Sequence, residues 1–137
     1  MPRNMLLVAT GVFVVGLIFD YLLFSVALRD HLINDVSMRA AGEGPWPKIM
    51  LGELIFAAVV SWVYARGATD APALGQGLRF GLALGLIAVA GGLIVAPVLT
   101  ASETIIIGGI AGLAMKSLAQ GMTAAMIAGD TGATPGA

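Results

Sequence analysis

MLLVATGVFVVGLIFDYLLFSVAL, residues 5–28, is a continuous apolar stretch with one acidic residue, Asp20, well inside it. About 20 apolar residues in a helix cross the ~30 Å hydrocarbon core of a bilayer, so the stretch predicts a transmembrane helix. Arg3 precedes it, as in a signal peptide. Its apolar run nevertheless exceeds the ~7 to 15 residues of a signal core, and no small-x-small cleavage site follows before Arg29, Asp30 and His31. It is expected to stay as the first span. Three further stretches of the same kind follow at about 48–66, 76–98 and 104–128. The fold expected is all-α: a polytopic membrane protein with four transmembrane helices in an antiparallel bundle. Residues 1–129 are expected to form its single domain, and 130–137 a flexible tail.

Composition points the same way. With 58% hydrophobic residues, 11% charged residues and a mean hydropathy of +0.96, the chain has too little polar surface for a soluble fold. The net charge of −1 comes from single scattered charges, which excludes the basic patch that a nucleic-acid partner requires. With no cysteine there are no disulfides, thiolate metal sites or cysteine nucleophiles.

The connections carry turn and interface chemistry. In residues 29–41, Leu32, Ile33, Val36 and Met38 fall opposite Asp30, Asn34, Asp35 and Arg39, the pattern of a short amphipathic helix on the membrane surface. Gly42, Gly44, Pro45 and Pro47 end it, and Trp46 is placed to anchor the second span at the interface. Trp62, Tyr64 and Arg66 form an aromatic and cationic rim at the far end of that span, before Gly67. Arg79, about one turn inside the third span, is expected to snorkel to the same surface. Four spans put both termini on one side. Arg3, Arg66 and Arg79 lie on the side of the termini and Arg29, Arg39 and Lys48 on the other; because the basic residues of the first loop are matched by acidic ones, the termini are expected to be cytoplasmic, in a bacterial inner (cytoplasmic) membrane.

Within the spans, Gly77, Gly81 and Gly85 recur every fourth residue, a face that lets another helix backbone approach closely. Gly108 and Gly112, then Gly121, Ala125 and Gly129, repeat the interval in the fourth span. Ionisable groups at depth say more, because each costs ~2.5 to 3.5 kcal/mol even on a lenient insertion scale and so needs a partner. At ~1.5 Å per residue, Asp20 lies about 12 Å, Glu53 about 8 Å and Lys116 about 18 Å from the first-loop side of the membrane. They share one layer, and Lys116 is expected to turn inward to Asp20, Glu53 or both. Two readings stand for such a cluster: a paired network that fixes helix register, and a proton or ion relay.

Catalytic motifs are missing. His31 is alone, and one histidine without cysteine builds neither a bis-histidine haem nor an ordinary zinc site. Ser25, Ser61 and Ser117 lie in apolar helices, where a hydroxyl usually bonds to the preceding turn. No enzyme activity, metal or cofactor is expected, although a lipid, quinone or pigment contact on the outer surface is compatible with the pattern.

From PWPKIMLGELIFAAVVSWVYARG through the third span, the order of features resembles a family of small, functionally uncharacterised four-helix bacterial integral membrane proteins. The matching pieces are Asp20 in the first span, Tyr64 with Arg66 and Gly67 at the end of the second, and GLRFGL at Gly77 to Leu82. Lys116 departs from that pattern. The resemblance implies a fold and a location, and no activity. Together these features lead to the expectation of an accessory or assembly subunit of a larger membrane complex, respiratory or photosynthetic, with lipid and either other subunits or itself as partners. The alternative is a small dimeric proton-coupled transporter, similar in architecture to the small multidrug resistance exporters, using Asp20, Glu53 and Lys116.

Overall fold

Long runs of Leu, Val, Ala and Ile in a solvent that cannot hydrogen-bond the backbone leave the helix as the one way to satisfy each peptide group locally. The computed structural model describes residues 3–35, 46–67 and 72–130. These form α1 (Arg3–Tyr21), which runs on through a π-helical turn (Leu22–Ala27), α2 (Arg29–Asn34), α3 (Trp46–Gly67), α4 (Ala73–Val95), which closes in a 3₁₀ turn (Ala96–Val98), and α5 (Glu103–Asp130). Among the described residues, four segments are long and apolar enough to cross a membrane: Met5–Ala27, Trp46–Gly67, Ala73–Val98 and Glu103–Gly129. The chain is thus an all-α, multi-pass membrane architecture.

The spans begin and end where backbone chemistry dictates. Pro47 falls in the first turn of α3, where its missing N–H would have had no partner. Pro97 falls in the turn that ends α4. The amphipathic surface segment expected at 29–41 is helical over Arg29–Asn34; Val36, Met38 and Arg39 lie outside the described residues, as do Gly42, Gly44, Pro45 and the tail from residue 131. Asp35 pins α2 to the next hairpin, its Oδ2 accepting from the Ser102 backbone N–H at 2.8 Å, just ahead of α5.

α1 and α5 form the centre, α3 lies against α1, α4 lies against α5, and α3 makes a smaller contact with α5. The α4–α5 contact is made by glycine. A Cβ on Gly81 would sit 2.7 Å from the Leu118 carbonyl oxygen and 2.9 Å from the Leu118 Cα, and one on Gly77 would sit 3.0 Å from the Met122 Cα. A Cβ on Gly121 would strike the Gly81 Cα. Gly85 lies over Ala114 and Gly129 over Ala73, which extends the seam along both helices.

Gly108 and Gly112 belong to a different seam. They are holes for α1: a Cβ on Gly112 would meet Leu23 Cδ2 at 2.5 Å, and one on Gly108 would meet Leu28 Cδ2 at 2.8 Å. From Gly112 to Gly121 is nine residues, about 180° around an α-helix, so the two sets point to opposite faces. Leu23 and Leu28 are five apart, which in an α-helix would separate them by about 140°. The π turn solves this. Its wider winding, marked by the Leu28 N–H donating to the Leu23 carbonyl at 2.8 Å, brings both leucines onto the face that meets α5.

An apolar core of Val8, Val12, Ala57, Val60, Tyr64, Ala124 and Ala125 fills the half of the bundle nearest the α1 amino terminus. Tyr64 therefore corrects the sequence expectation of a rim residue. It is 6% exposed and packs edge-on against Phe80 of α4, with ring centroids 5.3 Å apart. The reason is phase: Tyr64 is eleven residues after Glu53, three turns along the buried stripe of α3. Trp62 and Arg66 lie on the outer face, where the guanidinium stacks 3.9 Å from the indole centroid.

Backbone-to-backbone contact makes the α4–α5 seam intolerant of side chains. Gly81→Val should destabilise the protein by about 1–3 kcal/mol or more, because peptide atoms rather than a flexible side-chain tip must move. Gly91→Ala, where a Cβ meets nothing within 4 Å, should be neutral or slightly stabilising. Melting temperatures in detergent micelles measure both.

Candidate functional site: a buried polar cluster in the membrane core

Three helices each contribute one ionisable side chain to a single point. Asp20 comes from the last turn of α1, Glu53 from the second turn of α3 and Lys116 from the middle of α5; all three are buried, at 3%, 7% and 7% exposure. Lys116 Nζ donates to Asp20 Oδ1 at 2.8 Å and to Glu53 Oε1 at 2.5 Å. A long flexible ammonium with three donors suits this task, since it can reach across α1 and α3 at once.

Two residues that sequence reasoning missed complete the site. Gln120, fully buried, stands one turn after Lys116 on the same face of α5. Its Nε2 donates to Glu53 Oε2 at 3.0 Å and to the Val12 carbonyl at 3.1 Å. Glu53 thus accepts on both oxygens, and Gln120 ties α5 to the α1 backbone. Gly16 stands one turn before Asp20. A Cβ there would collide with Glu53 Oε2 and lie 2.5 Å from Gln120 Nε2, so the absent side chain is the space through which both pass. The signal for both residues was spacing: each lies four residues from a member of the cluster, on that member's face of its helix.

Among the described residues, Gln120 Oε1 is the one buried side-chain polar atom with no hydrogen-bond partner. Ser61 and Ser117 lie close by in the sequence of α3 and α5 and are buried, but each hydroxyl bonds back to its own helix, to the Ala57 carbonyl at 2.7 Å and the Leu113 carbonyl at 2.8 Å. Two carboxyls and one ammonium carry a formal charge of −1 when all are ionised, and a single added proton would make the set neutral. Among the described residues no group of three His, Cys, Asp or Glu side chains could hold a metal ion.

The remaining sequence-predicted residues lie away from this point. Arg79 is exposed on the outer face of α4, Trp46 is half-buried at the start of α3, and His31 is exposed on α2. Comparison of the chain with protein-family models, with curated proteins and with solved structures gives no match.

Charge balance governs the stability of this cluster. Lys116→Met alone leaves two acids facing each other without a cation and should cost about 3–5 kcal/mol. The triple variant Asp20→Asn, Glu53→Gln, Lys116→Met, which removes the charges together, should recover most of that loss. Unfolding in bicelles measures both, and equal losses for the single and triple variants would show that pairing is not what the lysine contributes.

Proposed function

We propose that the protein is a non-enzymatic accessory or assembly subunit of a larger membrane complex, respiratory or photosynthetic in kind, in a bacterial cytoplasmic membrane. The observation that carries this reading is the closure of the polar core. Lys116 is occupied by two acids, Glu53 accepts on both oxygens, and Gln120 seals the set against the α1 backbone. Groups committed in this way hold helices in register.

What faces outward is apolar. Leu51, Leu54 and Ile55 on α3, Leu82, Leu86 and Ile87 on α4, and Met115 on α5 are each about half exposed or more, surfaces suited to lipid tails or to neighbouring transmembrane helices. Such a body, with little mass outside the membrane, is suited to filling and bracing an assembly. The resemblance carried by Asp20, Tyr64, Arg66 and the Gly77–Leu82 stretch supports the same location.

A second reading, a small dimeric proton-coupled transporter, is favoured by two details. The cluster has two acids for one lysine, and Gln120 Oε1 lacks a donor. One preparation separates the two readings. Extracted from native membranes in mild detergent, the chain should co-migrate with other membrane proteins at fixed stoichiometry, and the purified chain in liposomes should move no substrate with the proton gradient. A free homodimer whose proton-coupled uptake is abolished by Glu53→Gln or Asp20→Asn would overturn the subunit reading.

A further inference from the structure

A groove of about 500 Å³ opens between the π turn of α1, α2 and the first turns of α5. Its walls change character with depth. His31, Glu103 and Thr104 line the outer part, while Ala27, Leu28, Ile107 and Gly108 line the part nearer the bilayer centre. The gradient follows from the helices themselves. Ile107 and Gly108 lie one turn after Glu103 and Thr104 as α5 enters the membrane, and Ala27 and Leu28 lie one turn before His31 as the first span leaves it.

The three polar side chains at the mouth are uncommitted. Neither His31, Glu103 nor Thr104 has a side-chain hydrogen bond or ion pair among the described residues. The scaffold around them is held. Asp35 clamps the Ser102 amide at 2.8 Å, the Leu32 N–H donates to the Leu28 carbonyl at 2.9 Å, and Leu28 seats on Gly108. The groove is therefore an open amphipathic slot where the first span and α5 meet the membrane surface.

We infer that this slot binds one phospholipid with a primary-amine headgroup, a phosphatidylethanolamine. Its ammonium meets the Glu103 carboxylate, its phosphate oxygens accept from the His31 ring N–H and the Thr104 hydroxyl, and the first methylenes of one acyl chain lie along Ala27, Leu28 and Ile107. Each wall excludes an alternative. A soluble phosphate ester would leave the apolar half unfilled. A choline headgroup has a quaternary nitrogen with no N–H to donate to Glu103. A glycerol headgroup brings a phosphate and no cation towards a carboxylate, which is repulsive. The inference is independent of whether the chain serves a complex or a transport step.

The full chain in nanodiscs of equimolar phosphatidylethanolamine and phosphatidylcholine, released and weighed by native mass spectrometry, provides the test. One ethanolamine lipid per chain should be retained in severalfold excess over the choline lipid, and free phosphoethanolamine should not displace it. Glu103→Gln should erase the preference between headgroups. Ala27→Phe, which fills the deep half, should strip both lipids while circular dichroism stays helical. Equal retention of the two lipids, a preference that survives Glu103→Gln, or displacement by free phosphoethanolamine would each overturn the assignment.

Discussion

Lys116 held between Asp20 and Glu53 is the constraint on which the arrangement of the spans depends. Left separately in hydrocarbon, three such groups would cost roughly 8 to 10 kcal/mol even on the lenient scale, comparable to the whole stability of an ordinary domain. Convergence is therefore obligatory once the sequence contains them. Since they reside on α1, α3 and α5, it fixes the rotation and the depth of three helices at once. Well-packed apolar residues of similar volume could be as stable. What the charges contribute is selection, because a helix rotated or shifted by one turn would expose a carboxylate or an ammonium to lipid.

A second, chemically different attachment holds α4. Lipid tails are as apolar as leucine, so burying leucine between spans gives little drive for association, and close backbone packing must supply it. Gly77, Gly81 and Gly85 on α4, against Ala114, Leu118, Gly121 and Ala125 on α5, provide that contact by close approach of the two backbones. Leucine knobs in glycine holes provide a third, between the π turn and α5. The polar layer thus lies between an apolar core towards the α1 amino terminus and the leucine-glycine seam towards the first loop. This sandwich keeps the ion pairs away from both surfaces.

Much of this was legible in the residues. Apolar length gave the four spans, and depth counting put Asp20, Glu53 and Lys116 in one layer, because rise per residue is a property of the helix alone. Phase was harder to use. Tyr64 reads as a rim residue by its neighbours Trp62 and Arg66, yet it lies on the stripe of Glu53, Ala57 and Val60, and the stripe decides. Gly16 and Gln120 carry no charge to mark them in the sequence, although both sit one turn from a residue that does. The π turn has no reliable sequence signature, since its cause is tertiary: two leucines five residues apart must reach two glycines four apart. What covers the outer face of α4 and what enters the surface groove are not written in spacing at all, because both depend on molecules outside the chain.

Where the Lys116 ammonium resides in a bilayer decides whether the three spans share a polar core. Dipolar recoupling between ¹⁵N at Lys116 Nζ and ¹³C at the Asp20 and Glu53 carboxyl carbons, by solid-state NMR in lipid, reads that position directly. Strong dephasing from both carboxyl carbons is predicted, corresponding to the N–O contacts of 2.8 Å and 2.5 Å. No dephasing from either carboxyl, with the ammonium instead correlated to lipid phosphate or water at the membrane surface, would contradict the shared polar core.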